Sequence, residues 1–171
     1  DASGARDPLF GANGVAFVAT ATSITLRKMA VQADGKVVLG SSSRPTYARL
    51  TSAGALDSTF GSGGLAQEGD TALIDCGAIQ ANADGTISSF CSRLISGAFF
   101  GRDVSVIRYN SAGARDATFG GGSGIVVSNL FSMNLDARAV ALDPSGKVLV
   151  AGMLADAHDA DAAVTRFTAA G

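Results

Sequence analysis

At 171 residues with a net charge of −2, the chain has the length of one ordinary domain, or about half of a large toroidal one. Hydrophobic residues make up 47% and charged residues 16%, which excludes a disordered chain; the thirteen basic residues are scattered and form no stripe for nucleic acid. No apolar run approaches the roughly eighteen residues that cross a bilayer.

Much of the apolar fraction is alanine and there is no Trp, so the core must come from short aliphatic strands and nine Phe. With 22 Gly and three Pro, tight turns between short strands are expected, and hence an all-β fold. The chain opens on Asp1, without Met, as a protein cut by signal peptidase does and as a proteolytic fragment also does. The expectation is an exported protein, periplasmic or extracellular.

Along the chain, one segment recurs. Asp1 to Gly11 reads Asp-Ala-Ser-Gly-Ala-Arg-Asp-Pro-Leu-Phe-Gly, Thr51 to Gly61 reads Thr-Ser-Ala-Gly-Ala-Leu-Asp-Ser-Thr-Phe-Gly, and Asn110 to Gly120 reads Asn-Ser-Ala-Gly-Ala-Arg-Asp-Ala-Thr-Phe-Gly. Thr168 to Gly171 begins a fourth copy, so starts fall at 1, 51, 110 and 168. A single repeat domain over 1–171 follows, with units of about 1–50, 51–109 and 110–167.

Within each unit the pattern is that of β-hairpins. Gly14 to Ala19 alternates Val15, Phe17 and Ala19 with smaller neighbours, the period-2 pattern of a half-buried strand. Turns end at Asp34-Gly35, Asp84-Gly85 and Ser145-Gly146, where glycine supplies a positive φ. Val37-Val38-Leu39 and Val148-Leu149-Val150 are continuous apolar runs suited to a strand buried on both faces. Four short strands per unit are expected, the content of a propeller blade, with almost no helix.

The Val31 to Leu39 core, followed about twenty residues later by Leu-Asp-Ser-Thr-Phe-Gly at Leu56 to Gly61, resembles the delta-60 repeat family of secreted bacterial proteins. The resemblance covers essentially the whole chain. It implies a β-propeller-like, all-β fold of three four-stranded blades, and little about function. The middle unit departs most, with Thr86 where the others have Lys36 and Lys147, and with two cysteines. A bacterial source also suits the ten Arg against three Lys.

Cys76 and Cys91 flank the hairpin turn of the middle unit. With 82 to 85 as the loop, Ala81 faces Thr86 and Cys76 faces Cys91, which suits a cross-strand disulfide. A three-residue turn with a glycine bulge would shift the register by one and spoil the pairing. Two free buried thiols are the alternative. A disulfide would contribute about 3 kcal/mol on the chain-entropy model and points to the periplasm or beyond.

Arg49, Arg108 and Arg166 recur once per unit, as do Asp7, Asp57 and Asp116 and the aromatics Phe10, Phe60 and Phe119. Because every unit repeats them, they read as fold parts, with each Arg–Asp pair fastening a last strand to the next turn. The functional alternative is a ring of charges lining a channel. The run Gly120 to Gly124 lacks the ending of a phosphate loop and precedes a strand, so it reads as a β-turn.

The only histidine, His158, sits among Asp156, Asp159 and Asp161. These carboxylates suit a calcium ion, but the spacing and glycine of a calcium loop are missing and Asp161 aligns with Asp103, so a solvated loop is the main reading. One histidine and no Gly-x-Ser-x-Gly leave no catalytic triad. The chain is therefore read as a non-catalytic exported module for protein or glycan binding and assembly. Its variable outer connections, Ser96 to Asp103 and Ala155 to Asp161, are the candidate binding loops. The alternative is a metal-dependent extracellular hydrolase or lyase. Three blades cannot close a ring, so the chain is expected to be a piece of a longer propeller, or to have its open ends covered by a second copy or a protein partner.

Overall fold

The computed structural model describes residues 4–19, 25–41, 44–94, 102–128, 134–143, 145–155 and 160–171. The all-β, propeller-like expectation holds. Three antiparallel sheets follow one another along the chain. The first contains β1 (Leu26–Val31), β2 (Val37–Ser41), β3 (Thr46–Leu50) and β4 (Leu65–Gln67) in that spatial order. The second contains β5 (Leu73–Ala81), β6 (Ile87–Leu94), β7 (Arg102–Tyr109) and β8 (Ile125–Ser128). The third contains β9 (Asn134–Leu142), β10 (Val148–Ala155) and β11 (Ala160–Phe167), so among the described residues it has three strands. Among the described residues no helix is long and apolar enough to cross a membrane.

Sheets and sequence repeats are out of phase by one strand. β4 and β8 lie after the Asp–Phe–Gly corners of the following repeats, and each returns to pair with the strand that precedes its corner. The register is the same both times: Ala48 pairs with Leu65, and Ile107 with Ile125. The corresponding stretch after the first corner, Gly14 to Ala19, is the one whose alternation predicts a strand. It makes only bridges at Gly11, Ala12 and Val15, and Phe17 is 82% exposed. The strand pattern is present, but no sheet edge lies beside it among the described residues.

The sheets pack face to face, with β1 beside β5 and β5 beside β9. Alternation along each strand divides the core. Ile87 and Cys91 on β6 and Ile107 and Tyr109 on β7 pack with Val38, Tyr47 and Phe60 of the first sheet. Phe90, Val104 and Val106 face the opposite way, with Val148 and Val150 of the third sheet and Phe119. The middle sheet is thus buried on both faces, the outcome expected of strands without a polar side.

The hairpin turns are tighter than the loop 82–85. The amide of Asn82 donates to the Thr86 carbonyl (2.9 Å), and Gly85, at φ +81°, donates back to Asn82 (3.0 Å). This is a three-residue loop with the glycine in the left-handed region, and it places Ala81 opposite Ile87. The expected register, Ala81 opposite Thr86, is therefore corrected. Cys76 and Cys91 are nonetheless joined by a disulfide. A register shift on β5 between Ile74 and Ala78 reverses the displacement, so that Ile74 lies opposite Ser92. The bond lies inside that bulge. At Gly120–Gly124 the chain turns through glycines of positive φ, the Phe119 carbonyl accepting from Gly122 (3.2 Å) and the Gly120 carbonyl from Ser123 (3.3 Å), before β8 begins at Ile125.

Candidate functional site: clasps and clefts between blades

Each corner is built from short-range bonds that the sequence repeats. The Asp57 carbonyl accepts from the Phe60 amide (3.0 Å) and the Phe60 carbonyl from the Gly64 amide (2.9 Å); Asp116, Phe119 and Gly124 do the same at 3.1 and 2.9 Å. The corner closes onto the preceding strand, where the Arg49 amide donates to Gly64 (3.0 Å) and the Arg108 amide to Gly124 (2.9 Å). Within this frame Arg49 Nε donates to Asp57 Oδ2 (2.8 Å) and Nη2 to Thr59 Oγ1 (3.1 Å), while its guanidinium lies 4.6 Å from the Phe60 ring centre. Arg108 repeats the arrangement with Asp116 (2.6 Å), Thr118 (2.8 Å) and Phe119 (4.7 Å).

The third guanidinium nitrogen leaves the blade. Arg49 Nη1 donates to the Ser111 carbonyl (2.6 Å) and Arg108 Nη1 to the Ala169 carbonyl (3.0 Å), both on the turn of the next blade. Beside it, the glycine after each Phe donates to that same turn: Gly11 to Ala53, Gly61 to Ala112 and Gly120 to Ala170, each at 2.8 Å. We call this set a clasp. It places Arg49 and Arg108 between blades, with Arg49 only 3% exposed.

Electrostatics follows the geometry. The Thr59 hydroxyl, aided by Arg49, holds the Asp57 carboxyl down at about 2. For Asp116, burial acts upward, but hydrogen bonds from Thr118 and Arg108 outweigh it and the net displacement is downward. Between the first two sheets, Glu68 accepts from Arg115 Nε (2.9 Å) and Tyr109 Oη (3.3 Å), and Tyr47 donates to Ser89 Oγ (2.6 Å). Burial pushes the Tyr47 hydroxyl up to about 12, so it remains a neutral donor.

Clefts lie between adjacent blades beside the hairpin tips. One of about 280 Å³ borders the first clasp and is lined by Gln32, Asp34, Lys36, Arg49, Thr59 and Ser111. A second, of about 230 Å³, separates the tips themselves, with Gln32 and Asp34 facing Asn82 and Asp84. A third, of about 350 Å³, lies between the second and third sheets beside Asp84, Arg108 and Asp143. Gln32 is buried, and its Nε2 donates across the blade junction to the Gly85 carbonyl (3.1 Å). Its Oε1 is a buried acceptor with no donor. Gln32, Asn82 and Asp143 all stand three residues before a turn glycine, a polar position the repeat alignment could have revealed.

Of the singled-out residues, the structure unites Arg49, Asp57 and Phe60 in one clasp and Arg108, Asp116 and Phe119 in another. The Asp7 carboxylate accepts from the Leu9 amide (2.9 Å), with no arginine on it among the described residues, and Arg166 lies exposed on β11 opposite Leu149. Asp161 is exposed on β11 opposite Leu154. Asp156, Asp159 and His158 lie outside the described residues, as does most of both variable connections. Among the described residues no three His, Cys, Asp or Glu side chains converge as metal ligands.

Residues 32–60 match a family described as "Domain of unknown function (DUF5122) beta-propeller". The chain is β-propeller-like. No curated protein matches it. Among solved structures, a protein of unknown function from Bacteroides caccae aligns at 11% identity and a TM-score of 0.41, over 85% of this chain and 61% of that one. The GH43 endo-arabinanase from Bacillus licheniformis aligns at 13% identity and a TM-score of 0.41, over 81% and 51%. The chain thus spans less than two thirds of either protein.

Proposed function

We propose that this chain is a non-catalytic repeat module, exported from a bacterial cell, whose inter-blade clefts bind donor-rich segments of a protein or glycan. The observation that carries the reading is the pairing of neighbouring hairpin tips, Gln32 and Asp34 against Asn82 and Asp84, around one polar cleft. Its polar side chains are two carboxylates and two amides, with Lys36 already engaging Asp34. Asp84 has one oxygen committed to Thr86, and Gln32 Oε1 has no donor at all. Sugar hydroxyls, amides and ammonium groups supply what such walls lack. Export is supported by the Cys76–Cys91 disulfide, and the delta-60 resemblance of the repeat agrees with it.

The test is amide chemical-shift mapping with a neutral oligosaccharide, cellohexaose, and with a lysine-rich peptide. Saturable shifts centred on residues 32–35 and 82–85, lost in an Asp34→Ala/Asp84→Ala variant, support the reading. Shifts confined to other surfaces, or none with either probe, would remove it.

A further inference from the structure

Three departures of the middle blade from its neighbours meet at one place. Asn82, Thr86 and Ser88 stand where the first blade has Gln32, Lys36 and Val38 and the third has Asp143, Lys147 and Leu149. The Asn82 side-chain nitrogen donates to Thr86 Oγ1 (2.6 Å) and to Ser88 Oγ (3.1 Å), so the departures form one hydrogen-bonded group. Asn82 and Ser88 line the cleft of about 350 Å³ between the second and third sheets.

This junction has no latch. Between the first two blades Gln32 Nε2 reaches the Gly85 carbonyl (3.1 Å) and spans the gap. Gly146 is the counterpart of Gly85 on the third blade. Asparagine is a methylene shorter, and Thr86 and Ser88 hold it back, so nothing among the described residues donates to the Gly146 carbonyl. Asn82 Oδ1 is left buried without a donor. The buried Ser88 hydroxyl accepts from Asn82, but among the described residues its own proton has no acceptor. A buried acceptor without a donor costs about 1–3 kcal/mol, which an occupant of the cleft offsets by supplying one.

We propose that this cleft is a subsite for one pyranose ring of a neutral glycan. Pockets for small ligands begin at roughly 300 Å³, and of the clefts of about 230, 280 and 350 Å³ this one alone is larger. Leu142 and Val148 of the third sheet give it an apolar wall beside the Asn82–Ser88 group. Charge disfavours the ionic classes. An anion would face Asp84 and Asp143, while an ammonium group, which only donates, would face Arg108 and leave the Ser88 proton unmet. A sugar hydroxyl donates and accepts on the same atom. Ring hydroxyls therefore donate to Asn82 Oδ1 and the Gly146 carbonyl and accept from Ser88, while the C–H face of the ring lies on Leu142 and Val148. The inference rests on the ligand reading above and narrows it to one junction and one chemical class, with the length of the side chain at position 82 keeping that junction open.

The experiment is amide chemical-shift mapping of the chain with cellohexaose, xylohexaose and mannohexaose, and with a lysine-rich peptide. At least one sugar is expected to give saturable shifts at residues 81–84 and 146–148 together. Asn82→Gln supplies a latch long enough to reach Gly146, and Ser88→Val replaces the buried hydroxyl by the residue type of Val38. Each is expected to weaken that sugar about tenfold or more, the worth of about one hydrogen bond. Asn82→Gln is expected to melt no lower than the parent chain, because the new latch closes the junction, so loss of binding is separated from loss of fold. Shifts confined to residues 32–35, or shifts at this cleft that neither variant weakens, would overturn the inference and leave the ligand reading in place. No shift with any of the three sugars would overturn it as well, and the ligand reading would then stand or fall with the peptide alone.

Discussion

Arg49 and Ser111 lie 62 residues apart in sequence and are joined by a 2.6 Å bond from a guanidinium nitrogen to a backbone carbonyl. The same guanidinium engages Asp57, Thr59 and the Phe60 ring, so one side chain connects its own corner to the next blade. Nothing in the two residue types predicts that bond. It exists because the corner fixes the arginine and the turn at Thr51, Asn110 or Thr168 has the same shape in every repeat.

Arg49→Ala should therefore be among the most destabilising single changes. It removes the cation over Phe60 and the closer of two cations on Asp57, which is 5% exposed and keeps only Lys36 at 3.7 Å, a loss of up to about 3–5 kcal/mol. Arg108→Ala should cost less, because the Arg108 side chain is 16% exposed against 4% for Arg49. Lysine in either position cannot reach three acceptors at fixed angles, so Arg49→Lys should recover little. Urea unfolding of the three variants gives the order directly.

How far the sequence exposes this architecture depends on what each part is made of. Arg49, Asp57 and Phe60 are legible because side chains recur at fixed offsets. Their inter-blade acceptors are backbone carbonyls and carry no residue signature. The Cys76–Cys91 partnership was legible from proximity along the hairpin, but its register was not. A glycine turn moved the strand by one residue and a bulge between Ile74 and Ala78 moved it back by two, with the cysteines inside the shift. Bulges respond to packing on both faces, which a single strand does not reveal. The clefts were not legible at all, since they belong to neighbouring turns from different repeats.

Glycine positions separate backbone conformation from close packing. Gly85 and Gly113 have nearly the same φ, +81° and +82°. A Cβ at Gly85 would meet open space, whereas one at Gly113 would stand 2.9 Å from the Phe60 ring. Gly85→Ala should cost about 1–2 kcal/mol from the left-handed conformation alone. Gly113→Ala adds a clash at the inter-blade contact, so its melting temperature should fall further. Equal losses in thermal unfolding would mean that the turn does not pack on Phe60.

Removing the disulfide should cost about 3 kcal/mol, read as the midpoint difference between the chain and a Cys76→Ala/Cys91→Ala variant. Both cysteines are buried, at 2% and 0% exposure. Attack on the bond needs access to a sulfur, so dithiothreitol alone should reduce the folded protein slowly. Reduction should accelerate with urea in step with unfolding, as thiol quantitation would record. Fast reduction without denaturant would place the bulge of β5 in a more open state than the structure has.

Acid stability should report the clasps. The Asp57 carboxyl is held at about 2, against 3.8 for an ordinary aspartate. A depressed carboxylate binds its proton less readily when folded, so its contribution is fully present above pH 3.8 and is lost as pH falls toward 2. Asp116 is shifted the same way and adds to the slope in that window. Asp57→Asn should be less stable at neutral pH, because Arg49 then lies buried beside an uncharged amide, and its stability should change less between pH 4 and pH 2 than that of the parent chain. Urea unfolding at steps of pH through this range separates the two effects. If parent and variant lose stability in parallel below pH 4, the acid sensitivity arises outside the first clasp.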